Sequence, residues 1–120
     1  MPYIRVIFPV REKEVASILR NAENKLAIRQ ALSQLFPKYP VEQIAIIPEP
    51  LSDEAMEFAD NLLPLELKID IGRHSAQLNE NHSDRLCDWL TALCPALEKI
   101  HFGIWLREFS SNGFTEHKPE

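Results

Sequence analysis

The sequence predicts an α/β fold of the α+β kind, with two consecutive β-α-β units forming a four-stranded sheet and two helices on one face. Three observations predict it. Apolar residues alternate with polar ones in two late segments, Leu65-Leu67-Ile69-Ile71 and Ile100-Phe102-Ile104-Leu106, which is the period of a strand. Between them, Leu86, Trp89, Leu90, Leu93, Cys94 and Leu97 recur at helical spacing. A similar strand-helix-strand order occupies the first fifty residues, and each helix is long enough to cross between parallel strands.

The elements follow in order. Pro2 to Phe8 is rich in β-branched and aromatic residues and reads as a short strand ended by Pro9. Glu12 to Phe36 is helical: Val15, Ile18, Leu19, Ala22 and Leu26 share one stripe. Ile28, Leu32 and Leu35 continue it on a shifted stripe, which predicts a break near Asn21 to Asn24. Pro37 and Pro40 stop the helix. Val41 to Ile47 reads as the second strand, ended by Pro48 and Pro50; its continuous apolarity predicts burial on both faces, in the middle of a sheet. Ser52 to Asn61 reads as a capped short helix or ordered loop, with Met56 and Phe58 turned inward. Leu63 to Ile71 is a half-buried strand that Gly72 ends. Ser83 to Leu97 is a helix capped by Ser83 or Asp84, with Pro95 disturbing its last turn. Ile100 to Leu106 is the last strand, and Ser110 to Gly113 make a turn. The sheet face away from the helices is bare in this reading. It is expected to carry large apolar groups and so to drive self-association.

The chain of 120 residues suits one domain over 1–120, with halves of about 1–50 and 62–115. A net charge of −5 argues against binding nucleic acid by neutralising phosphates. No apolar run is long enough to cross a bilayer, and no signal peptide is visible, so the cytoplasm is the expected location. Cys87 and Cys94 stand two helical turns apart, too far to bridge, and read as reduced core thiols. Neither CxxC nor HxxxH spacing occurs, so no metal is expected.

Three stretches resemble one family. The opening Met1-Pro2-Tyr3-Ile4-Arg5-Val6, the run Leu67-Lys68-Ile69-Asp70-Ile71-Gly72-Arg73, and the stretch from Asp88 to Phe114 ending Ser111-Asn112-Gly113-Phe114 occur in the order found in the tautomerase superfamily. The likeness is to macrophage migration inhibitory factor and carboxymethyl-hydroxymuconate isomerase, and to uncharacterised bacterial proteins that also begin Met-Pro. The resemblance implies a trimer whose pockets form between subunits, and a cofactor-free reaction.

It also directs attention to four residues. Removal of Met1 would leave Pro2 with a secondary amine. Burial lowers the pKa of such a group, from about 8 for an α-amino group, towards that of a useful general base. With Met1 attached the nitrogen is an amide and neither base nor nucleophile. Arg73 follows Gly72 at a strand end, and its planar fork suits a substrate carboxylate; a surface ion pair is the plainer reading. Lys38, in Phe36-Pro37-Lys38-Tyr39-Pro40, resembles the inhibitory factor's carboxylate-binding lysine; its plainer reading is a solvated loop cation. His101 falls where the inhibitory factor has a pocket tyrosine, and Gly103 where it has an asparagine; a histidine there is an acid or hydrogen-bond donor. Trp105 reads as subunit-interface packing, and Arg5 and Arg107 as strand-face ion pairs.

Two functions fit. One is a keto-enol tautomerase or isomerase acting on a small carboxylated carbonyl compound, with Pro2 as base, Arg73, Lys38 and His101 binding substrate, and no cofactor. The other is a non-catalytic oligomer of the same fold with a ligand-binding or protein-interaction role. Both expect a homo-oligomer, a trimer for the enzyme and a trimer or dimer for the non-catalytic protein, and neither expects nucleic-acid or membrane partners.

Overall fold

The computed structural model describes residues 2–72, 78, 80–108 and 119. Its strands are β1 (Tyr3–Pro9), β2 (Ala45–Leu51), β3 (Leu65–Ile71) and β4 (Phe102–Glu108). Its helices are α1 (Lys13–Arg20), α2 (Ala22–Leu35), α3 (Asp53–Met56) and α4 (Glu80–Leu93). The strands form one mixed sheet in the order β2-β1-β3-β4. β1 runs parallel to β2, β3 runs parallel to β4, and the two pairs meet antiparallel at β1 and β3. The two β-α-β units are therefore joined through their first strands, with the helices on one face. No described helix is long and apolar enough to cross a membrane.

The core lies between that face and the helices. Ile4 and Val6 of β1 and Leu65, Leu67, Ile69 and Ile71 of β3 are almost wholly buried there, against Val15, Ile28, Leu32, Leu86 and Leu90. α2 packs on α4. The expected helical break is real: Asn21 ends α1 and caps α2, its Oδ1 accepting from the backbone N–H groups of Glu23 (2.8 Å) and Asn24 (3.1 Å). The restart resets the helical phase. Ala22 and Leu26, expected on the buried stripe of the first helix, are therefore exposed, while Ala27, Ile28 and Ala31 turn inward.

The second strand lies four residues later than expected. Val41–Gln43 is a 3₁₀ turn that buries Ile44, and β2 carries both prolines expected to end it. β2 is an edge strand, not a central one. The N–H of Ala45 points to β1, where it donates to the carbonyl of Pro2 (3.1 Å). Alternate residues 46, 48 and 50 thus face away from the sheet, and there Pro48 and Pro50 have no N–H to leave unpaired.

Other boundaries also move. Ser52 caps α3 as expected, accepting from the Ala55 N–H (3.1 Å), but Phe58 is 86% exposed instead of packed inward. α4 begins at Glu80, so Ser83 and Asp84 lie inside it and do not cap it. It ends at Leu93, and Pro95 opens a 3₁₀ turn over Pro95–Lys99. Trp89, placed on the buried stripe by its spacing, is exposed. β3 is buried on both faces at Glu66 and Asp70 instead of on one, because side chains of the neighbouring β4 cover these two acids. The turn at 110–113 lies outside the described residues.

Candidate functional site

Pro2 is buried immediately before β1. Tyr3 pairs with Asp70 at the far end of β3, and Asp70 with Arg107 at the far end of β4. Pro2 therefore sits at the sheet end where β3 and β4 finish and where the 36–44 segment delivers the chain into β2. That segment is held down by Phe36, 1% exposed, and by Arg29 of α2, whose Nε donates to the Ile44 carbonyl (3.0 Å). Tyr39 packs edge-on against Phe36, and Phe36 stacks on His82 of α4 with centroids 6.1 Å apart. A Cβ added at Gly72 would come within 2.9 Å of the Tyr39 hydroxyl, so a glycine lets the tyrosine reach the exit of β3.

Lys38 is exposed and lies against this group, its Nζ 5.1 Å from the Tyr39 ring centroid. The structure thus brings together Pro2, the exit of β3 and the segment that carries Lys38. Arg73 lies outside the described residues. His101 is exposed just before β4, level with the start of β3, at the opposite end of the sheet. A strand's length, about 20 Å at ~3.3 Å per residue, separates it from Pro2 within one chain. Tyr39 is the residue that sequence reasoning missed; its only signal was an aromatic ring inside a proline-rich turn.

The sheet face opposite the helices is not the apolar surface expected. Strand register sets three rows across it: Glu49-Ile7-Glu66-Gly103, Ile47-Arg5-Lys68-Trp105 and Ala45-Tyr3-Asp70-Arg107. Arg5 and Arg107 do form strand-face ion pairs. Arg5 grips Glu49 with two nitrogens, Nε to Oε1 at 2.7 Å and Nη2 to Oε2 at 3.0 Å. That hydrogen-bonded pair raises the pKa of Arg5 and lowers that of Glu49. Arg107 Nε donates to Asp70 (2.7 Å), and Trp105 Nε1 donates to Glu66 (3.0 Å). These contacts let Asp70 and Glu66 be buried as polar side chains at 6% and 8% exposure. Leu63 reaches over Gly103, where a Cβ would meet it at 3.0 Å, so position 103 is a packing position. Below it remains a cleft of about 420 Å³ lined by Arg5, Lys68, Asp70, Trp105 and Arg107.

No group of metal-binding side chains occurs among the described residues. Cys87 and Cys94 are unbridged, and burial raises the pKa of both thiols.

Neither the known protein families nor the curated proteins give a match to this sequence. Solved structures do. The chain has the tautomerase fold: a four-stranded mixed sheet of two β-α-β units with its helices on one face. Among the similar structures is a wild-type asymmetric trimer of the F6 fused 4-OT, at 15% identity and a TM-score of 0.59 over 95% of this chain and 91% of that one. Native fused 4-OT matches at 12% identity and a TM-score of 0.56, with the same coverage of both chains. A 5-carboxymethyl-2-hydroxymuconate delta-isomerase matches at 10% identity and a TM-score of 0.51, over 99% of this chain and 89% of that one. At such identities the likeness is one of fold.

Proposed function

We propose that this protein is a cofactor-free keto-enol tautomerase or isomerase acting on a small carboxylated carbonyl compound. The observation that carries the proposal is the burial of Pro2 at the head of a central strand, where β3 and the 36–44 segment converge. With Met1 removed, Pro2 carries a secondary amine. Burial disfavours its ammonium form and favours a general base near neutral pH. The amine takes a proton from one end of the enol-ketone system and a proton returns at the other, so no redox partner is needed. Arg73 and Lys38 hold the carboxylate, and the Tyr39 hydroxyl stands where it can add a hydrogen bond. His101 belongs to such a pocket only if a second copy brings its β4 end alongside Pro2. A homotrimer is the assembly we propose, supported by the F6 fused 4-OT structure, which is an asymmetric trimer. Unbridged Cys87 and Cys94 fit a reducing, cytoplasmic setting.

The test begins with the intact mass of natively produced protein, which should lack Met1. Ketonisation of phenylenolpyruvate should then be measurable and fall about 100-fold or more in Pro2→Ala, the usual loss for a general base. Retained Met1, no turnover in the wild type, or unchanged turnover in Pro2→Ala would sink this reading. The charged cleft on the open face would then favour the second one, a non-catalytic ligand-binding protein of the same fold.

A further inference from the structure

We propose that the open face of the sheet carries a binding site of its own for a small planar monocarboxylate, held by Lys68 and Arg107 and stacked on Trp105. The proposal starts from an electrostatic oddity. Arg5 and Lys68 are directly opposed in the antiparallel pairing of β1 and β3. Like charges so placed destabilise a sheet. The nearby acids do not relieve it at Lys68: Glu49 is gripped by Arg5, Asp70 by Arg107, and Glu66 by the Trp105 indole. Among the described residues Lys68 has no hydrogen bond or ion pair; it feels Glu49 only at longer range. Arg107 spends only its Nε on Asp70, which leaves its two terminal nitrogens for another acceptor.

These groups line a half-open cleft. The cleft of about 420 Å³ lies within the range of small-molecule pockets. Trp105 forms one wall, 61% exposed, yet its ring is anchored through Nε1 to a buried carboxylate. An exposed indole held at a fixed angle is a stacking surface. The charge sets the ligand class. Counting Arg5 with Glu49 and Arg107 with Asp70 as neutral pairs leaves Lys68 as the one unpaired cation lining the cleft, with the Glu66 carboxylate behind the indole and outside the lining, and a single cation matches a monoanion better than a phosphate-type dianion. An aromatic or conjugated carboxylate supplies both the charge and the flat face.

Benzoate is the probe, titrated into the full chain and followed by the indole ¹⁵N–H resonances of its two tryptophans, Trp89 and Trp105. The Trp105 resonance should move saturably and the Trp89 resonance should not. Lys68→Met should weaken binding about tenfold without lowering the melting temperature of the protein by more than a few degrees, and Arg107→Gln, which also unpairs Asp70, should weaken it about fivefold in protein that remains folded. Pro2→Ala should change the affinity less than twofold, which separates this site from the proposed catalytic one. The proposal fails if Trp105 does not respond, if Lys68→Met and Arg107→Gln bind as the wild type does, or if uncharged benzamide binds equally well. It also fails if the Trp105 resonance follows protein concentration and ignores benzoate, for then a second copy fills the cleft.

Discussion

At the scale of single residues, the open face shows how strand alternation can place charges without naming their partners. The sequence placed Arg5 and Arg107 on a strand face, and both are there in ion pairs. Their acids, Glu49 of β2 and Asp70 of β3, each come from a neighbouring strand, so the pairs depend on strand order. The Arg5–Glu49 pair yields a pH prediction. The hydrogen bond from Arg5 holds the Glu49 pKa below its ordinary value. A depressed carboxylate pKa adds stability that is complete above the unfolded value of about 4.3, and that stability is lost as pH falls through the lower folded value. Glu49→Gln should therefore lower the urea midpoint slightly at pH 7 and leave it unchanged near pH 2, where both chains are neutral at this position. The pair is partly exposed, so the effect is small and should shrink further in salt. Tyr39 was illegible for a different reason. Its importance comes from an approach to Gly72, thirty-three residues away, and nothing local to either residue announces that contact.

At the scale of elements, the cleanest correspondence lies at the break between α1 and α2. Two apolar stripes out of phase required an interruption, and Asn21 supplies it as a cap. Asn21→Ala should cost about 1 kcal/mol of unfolding free energy, and Asn21→Ser or Asn21→Asp should restore most of it. Chemical denaturation of the three variants checks this. The displaced second strand shows the opposite case. The apolar run Val41 to Ile47 resembles a buried central strand, but its apolar residues do different work. Ile44 is buried at the end of the 3₁₀ turn, Ile46 packs partly on the core, and Ile47 is exposed on the open face. Periodicity cannot separate those uses, because a short apolar run reads the same in all of them. Proline marks a strand end in a central strand and does not at an edge.

At the scale of the whole molecule, the two β-α-β units were legible because each half carries its own strand and helix periods. Their antiparallel junction through β1 and β3 was not, since only packing decides which strands become central. That junction puts the deepest core under the sheet centre, where Leu32 of α2 is fully buried. Leu32→Ala should cost about 2–5 kcal/mol, read as a lower urea midpoint with an unchanged denaturant slope. Light scattering tests the proposed assembly directly, and a stable monomer at micromolar concentration would remove it. The prolines of β2 bear on any such assembly. In the language of polymer chemistry, this sheet is a monofunctional monomer. Among the described residues its β4 edge is unpaired and can accept another strand, whereas its β2 edge offers the outward N–H of Ile46 followed by two prolines that have none. Edge-to-edge growth therefore terminates once the β4 edges are used, and replacing Pro48 and Pro50 would create the second reactive end that an open fibre requires.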